Sequence, residues 1–93
     1  PTPTNRTKQK LDRNRERRHR QEAQILKQKL ADLEKQLHQL EEELQQLETL
    51  MCQPEIYADP EESQRIQLES ITIRESLTLL YEEWEKLLET TED

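Results

Sequence analysis

Glycine and phenylalanine are both absent from the 93 residues, and there are only one cysteine, one tryptophan and two tyrosines. Without glycine, no loop can bring backbone amides close around a phosphate. A P-loop or dinucleotide-binding turn therefore cannot be built here, and any nucleotide hydrolysis would belong to another part of a larger protein. The lone Cys52 cannot form an internal disulfide. It stands beside an acidic turn that offers no basic partner to activate it, so it reads as a small apolar plug and not a nucleophile. No apolar run reaches the length of a membrane span or of a signal-peptide core, which favours a cytoplasmic origin. At 30% hydrophobic and 38% charged residues, the chain cannot enclose a thick core. Disordered tails and coiled coils share that composition, so periodicity has to separate them. The chain opens with Pro1-Thr2-Pro3-Thr4 and no methionine, which reads as a linker within a longer protein.

What is present is divided by charge. Residues 1–30 hold ten Lys or Arg against three acids, a net of +7, and the rest hold four against eighteen, a net of -14. A basic end on an acidic body implies separate partners for the two.

From residue 26 the chain reads Leu26, Leu30, Leu33, Leu37, Leu40, Leu44, Leu47 and Met51, stepping by four and three, which is a heptad seam. Pro54 stops that helix. A second helix is announced by Asp59 as N-cap, Pro60 at the first helical position, and Glu62 at capping-box distance. Its seam is Ile66, Ser70, Ile73, Leu77, Leu80, Trp84 and Leu87. The expected fold is all-α, a two-helix antiparallel coiled-coil hairpin with a basic N-terminal arm or helical extension. Residues 1–20 are the basic linker or arm, and residues 21–93 the hairpin: helix 1 at about 21–52, a turn at 53–59 and helix 2 at about 60–89. Matching the two seams about residue 55 pairs Leu44 with Ile66, Leu37 with Ile73, Leu30 with Leu80 and Leu26 with Trp84. It leaves weak layers at Leu40 with Ser70 and Leu47 with Ser63. One copy supplies both helices, so a monomer is expected.

Candidate binding residues lie in the basic end. Arg6, Lys10, Arg13, Arg17, Arg20 and, past Gln24, Lys27 recur by four and three, which lines them along one helix face as a match for a phosphate backbone. The alternative is a solvated arm that balances the acidic body or contacts the nucleotide-hydrolysing part of a larger protein. No aromatic lies in residues 1–30, so contacts should go to phosphates and not to stacked bases. Trp84 is expected in the core opposite Leu26, and Ile56 and Tyr57 over the turn. Glu41, Glu42, Glu43, Glu82 and Glu83 read as solvated faces, and Leu68, Ile71 and Leu79 either as local drift of helix phase, since isolated surface apolar residues are ordinary, or as an outer apolar stripe on helix 2 for another partner. His19 and His38 stand too far apart for a metal site. No catalytic residue, cofactor or metal is expected.

The stretch Leu50-Met51-Cys52-Gln53-Pro54-Glu55-Ile56-Tyr57-Ala58-Asp59-Pro60-Glu61, with Leu80-Tyr81-Glu82-Glu83-Trp84-Glu85-Lys86-Leu87 after it, resembles the C-terminal domain of ABC-F ATP-binding-cassette proteins of the Uup type. Gln53 stands where that family usually has Asp, and Arg13 to Ala23 resembles its basic opening more loosely. The resemblance covers about residues 10–89. It implies a parent with two ATP-binding domains and no membrane part, acting on the ribosome, whose C-terminal hairpin contributes nucleic-acid binding, to DNA or ribosomal RNA, and contacts the ATPase domains.

Two other functions compete. A basic stretch before leucines at 26, 33, 40 and 47 is similar to a basic-zipper transcription factor, but neither Asn5 nor Asn14 stands in the required relation to Leu26, and helix 2 supplies an internal partner. A coiled-coil interaction or dimerisation module without nucleic-acid binding is the remaining alternative. A membrane-surface helix is disfavoured, because the basic stripe has no apolar face opposite it.

Overall fold

The structure, a computed structural model, describes residues 4–92. The residues that open the expected linker, 1–3, lie outside the described range. Three helices follow one another: α1 (Asn5–Met51), α2 (Pro54–Tyr57) and α3 (Pro60–Glu92). Helices α1 and α3 run antiparallel, giving a rod with extents of 82 × 17 × 15 Å. The all-α hairpin expected from the two seams is the fold observed.

The first helix starts far earlier than the leucine seam does. Thr4 takes extended dihedrals, and its hydroxyl accepts from the Thr7 N–H at 3.3 Å. Of the two forms expected for the basic end, residues 5–20 are the helical extension and not a linker or arm before a helix at about 21. They are the first third of one 47-residue helix, about 70 Å long at 1.5 Å per residue. The physical reason is composition: between Pro3 and Pro54 there is neither proline nor glycine, and Arg, Lys, Gln and Glu are strong helix formers.

The connector is also more ordered than a plain turn. The Cys52 and Gln53 amides donate to the Thr49 and Leu50 carbonyls at 3.1 and 3.0 Å, tightening the end of α1. The Gln53 carbonyl then accepts from both Ile56 and Tyr57, each at 3.0 Å, with Pro54 at the start of the short α2. Asp59 caps α3 as its sequence predicts, accepting from the Glu61 and Glu62 amides at 3.1 and 3.4 Å. The reciprocal half of the capping box is replaced. The Glu62 carboxylate pairs with Arg65 at 2.8 Å, and the Asp59 N–H donates to the Ile56 carbonyl.

The register differs from the expected one by a heptad. Tyr81 donates across the hairpin to Glu41, and Arg74 reaches Glu48 at 3.5 Å. Seven residues up α1 are thus matched by seven down α3. Carried along the seams, this alignment sets Leu30 level with Leu87, Leu37 with Leu80, Leu44 with Ile73 and Met51 with Ile66. The Trp84 indole N–H donates to Glu34 at 3.2 Å, whereas opposite Leu26 it would lie about two helical turns away. The pairs Leu37 with Ile73 and Leu30 with Leu80 are therefore not the ones formed. Two causes favour the observed register. It leaves one serine layer, Ser70, where the expected register has two, and α2 packs against the start of α3, so α1 first meets α3 near Ile66.

The core is one seam: Leu33, Leu37, Leu47, Ile66 and Leu77 are buried, with Ile66 fully enclosed. Ser70 is buried among them and satisfied by its own helix, its hydroxyl donating to the Ile66 carbonyl at 2.8 Å. Toward the N-terminus the same steps of α1 continue through Ala23, His19, Glu16 and Asp12. Those residues offer a partner helix almost nothing apolar to bury. Helix α3 ends near that point, with Thr90 and Thr91 sharing a shallow groove with Ala23, Leu26 and Leu30. Beyond it α1 runs on alone.

Candidate nucleic-acid interface

Helix α1 carries every candidate cation, and the four–three spacing is realised as helix. Arg6, Lys10, Arg13, Arg17, Arg20 and Lys27 are all exposed, and at about 100° per residue they share one side. From Arg6 to Lys27 the row runs about 32 Å. Arg6, Lys10, Arg13 and Arg17 stand on the lone part of α1. Arg20 marks where α3 approaches, and Lys27 lies beside the groove at the end of α3. The structure thus brings the six into one row and covers none of them. The row can attract and neutralise a linear array of negative charge; it has no cleft, nucleophile or paired acid for chemistry. Lys8, Arg15 and Arg18 are further exposed cations on the same segment, and a reading that follows one face passes over them. The angular positions that reveal them follow from the helix geometry alone.

The acidic part of the molecule is occupied with holding the hairpin. Glu34, Glu41 and Glu48, one heptad apart, reach Trp84, Tyr81 and Arg74. Hydrogen bonding to Glu41, then partial desolvation and the carboxylate's charge, push the Tyr81 hydroxyl above its usual pKa. Arg65 sits between Glu62 and Glu69 at 2.8 and 2.9 Å, and its pKa is raised, first by Glu62 and then by Glu69. These pairs are exposed and worth little individually.

Other residues singled out by the sequence fall as follows. Trp84 is half-buried, not enclosed, and its ring meets Tyr81 edge to face with centroids 6.3 Å apart. Cys52 is exposed, with its sulfur 3.5 Å from the Glu48 carbonyl, so it is not an apolar plug. Ile56 is half-buried over the turn, while Tyr57 is 57% exposed. His38 contacts Glu42 at 3.1 Å on the same helix. Among the described residues, no group of three or more His, Cys, Asp or Glu is placed to hold a metal, and no helix is long and apolar enough to cross a membrane. Leu68, Ile71 and Leu79 are exposed on the outer side of α3.

The family model described as the ABC transporter C-terminal domain matches residues 20–89. No curated protein and no solved structure matches the chain. The matched span contains both seams, α2 and the Asp59 cap, and begins where the lone basic part of α1 ends. It covers well over half of the sequence, and the hairpin it contains is the observed fold, so the chain belongs to the ABC transporter C-terminal domain family, a part of ABC proteins that is not itself catalytic.

Proposed function

We propose that this chain is the non-catalytic C-terminal domain of a cytoplasmic ABC-F type ATPase, and that it contributes nucleic-acid binding, to DNA or ribosomal RNA, or ribosome contact. The finer family reading is supported by the Pro54-to-Pro60 turn and the Tyr81 and Trp84 pair. The binding reading is carried by one observation: the row of cations from Arg6 to Arg20 lies on one face of a helix that no other element among the described residues covers. The acidic hairpin is repelled by phosphates, so it points away and presents itself to the ATPase domains of the parent.

Binding should be driven by counterion release. With about four phosphates neutralised on a duplex, log affinity falls against log salt with a slope near -3.6, at about -0.9 per contact. The test is titration of labelled duplex and single strands at several salt concentrations, with Arg13, Arg17 and Arg20 changed together to Gln. The variant should bind all sequences more weakly while its melting stays nearly unchanged. No binding by the wild type at low salt would leave the row a solvated arm.

A second reading, a protein-interaction module without nucleic-acid binding, is favoured by Leu68, Ile71 and Leu79, which share one outer face of α3 and are 58%, 49% and 66% exposed. A mass that rises with concentration, without salt-dependent nucleic-acid binding, would select it.

A further inference from the structure

The basic part of α1 carries more than a row. At about 100° per residue, Thr7, Asn14 and Gln21, one heptad apart, fall within about 40° of one another and form a neutral polar ridge. On one side of the ridge, about 80° round, runs the row Arg6, Lys10, Arg13, Arg17 and Arg20. On the other, about 90° round, stand Lys8, Arg15 and Arg18. Asp12 and Glu16 lie behind, close to opposite the ridge. Helix α3 joins from that rear side as well, where Ala23 and Leu26 line its groove. Glu22 sits on the second flank, but at the hairpin end. The side chains of the ridge, of both cation flanks and of the acids are exposed, and Leu26 is half-buried.

A helix meant for a flat or one-sided polyanion needs cations on one face only. Cations on two flanks, with hydrogen-bonding neutral residues between them and acids behind, suit a ligand that rises on both sides of the helix. A duplex groove does this, with a phosphate strand on each wall and base edges on its floor. Size chooses the duplex. An α-helix with side chains is about 10–12 Å across, and the major groove of B-form DNA is about 12 Å wide and admits one. The major groove of A-form RNA is too narrow and deep to be read this way. From Thr7 to Gln21 the ridge spans about 21 Å, about six base pairs at 3.4 Å each. Leu11, 50% exposed, stands beside the ridge on the second flank, where an apolar side chain can meet a thymine methyl.

We propose that the lone segment of α1 lies lengthwise in the major groove of B-form DNA. Thr7, Asn14 and Gln21 face the base edges, and the two flanks of cations each hold one phosphate strand. Asn14, at the centre of the ridge, is the residue suited to the paired donor and acceptor edge of adenine. This rests on the nucleic-acid reading and goes beyond it in naming the ligand, the groove and a second set of contacts.

The experiment uses the full chain, a labelled B-form DNA duplex, an RNA duplex of the same sequence, and a DNA duplex with 7-deazapurines, which lacks the major-groove N7 acceptors but keeps its phosphates. With both flanks engaged, about seven phosphates in place of four steepen the wild-type slope to about -6.3, and the variant K8Q/R15Q/R18Q should return it to about -3.6 and lose about tenfold or more in affinity at low salt, while its helicity is retained by circular dichroism. The DNA duplex should bind at least about tenfold more tightly than the RNA duplex. The 7-deaza duplex should bind more weakly to the wild type but not to Asn14→Ala. A K8Q/R15Q/R18Q variant that keeps the wild-type affinity, an RNA duplex bound as tightly as DNA, or equal affinity for the 7-deaza duplex would overturn groove docking while leaving one-faced phosphate binding in place. A wild type that binds no nucleic acid at low salt would overturn both.

Discussion

Paired cysteines across the hairpin separate the two heptad registers, because the registers differ by more than a disulfide can span. In a Cys52→Ser background, Leu37→Cys with Leu80→Cys places two thiols on the same level of the observed structure. Leu37→Cys with Ile73→Cys does so in the alternative. The levels differ by seven residues, about 10 Å along the axis at 1.5 Å per residue, whereas a disulfide requires Cα atoms about 4.4–6.8 Å apart. Mild oxidation should therefore close the 37–80 pair quickly and leave the 37–73 pair open within one chain. The loop closed is about 44 residues, for which chain entropy gives about 4 kcal/mol of stabilisation over the reduced form. Non-reducing gel mobility and intact mass read closure, and thermal melts with and without reductant read the gain. Rapid closure of 37–73 with none at 37–80 would refute the register. Closure of neither, with covalent dimers instead, would refute the intramolecular hairpin.

Trp84→Ala should cost about 2 to 3 kcal/mol in chemical denaturation, below the range of about 3 to 5 for an enclosed ring, since its edge is open to solvent; a larger loss would mean it is fully enclosed. Asp59→Ala removes the cap on α3 and should cost about 1 kcal/mol; no change in midpoint would mean that Pro60 alone sets the helix start. The folded-state pKa of Tyr81 lies above the ordinary value of 10.0, so the contribution of its bond to Glu41 is full below that value and is lost as pH rises through the raised pKa. The melting difference between wild type and Tyr81→Phe should accordingly hold between about pH 7 and 9 and shrink above pH 10, and a difference that grows with pH would contradict the assignment. In hydrogen exchange, amides of residues 8–18 should exchange much faster than those around Leu37 and Leu77, because no burial holds that part of α1; equal protection would imply a partner on the lone helix.

Much of this fold is legible because coiled coils write their interior into spacing. Leu26 to Met51 and Ile66 to Leu87 mark the faces, and Pro54, Asp59 and Pro60 mark the break and the restart. The register is not legible from the seams alone. Two patterns that both repeat every seven residues match equally well after a slip of seven, so the choice falls to small terms: how many layers hold serine, and how much of the connector folds into α2. The start of α1 is hidden for a different reason. Prolines and threonines at the N-terminus read as linker, although Thr4 is itself the cap and nothing after it breaks a helix until Pro54. Exposure of Cys52 and the open edge of Trp84 depend on where the two helices end relative to each other, which the register decides. The cation row was visible because residues three and four apart stay together on a helix. Lys8, Arg15 and Arg18 are legible by the same geometry once the segment is known to be helical and uncovered.

The fold gains nothing from the way the basic segment is written. Arg6, Lys10, Arg13, Arg17 and Arg20 form four successive like-charged neighbours, each costing a helix about 0.2–0.5 kcal/mol, together about 1 to 2. Asp12 stands three or four residues from Lys8 and Arg15, and Glu16 from Arg13 and Arg20, so the acids offset part of that. They do so from the rear and leave the row itself unneutralised. Burial cannot supply the difference, because the seam positions that continue toward the N-terminus are Ala23, His19, Glu16 and Asp12. A stretch that repels itself and packs on nothing breaks a local rule without a compensating gain in the folded chain, and such places are where function is written. A polyanion on the row removes the repulsion and stabilises the helix with the same contacts. Under the proposed function, that coupling would make the segment most ordered when it is bound.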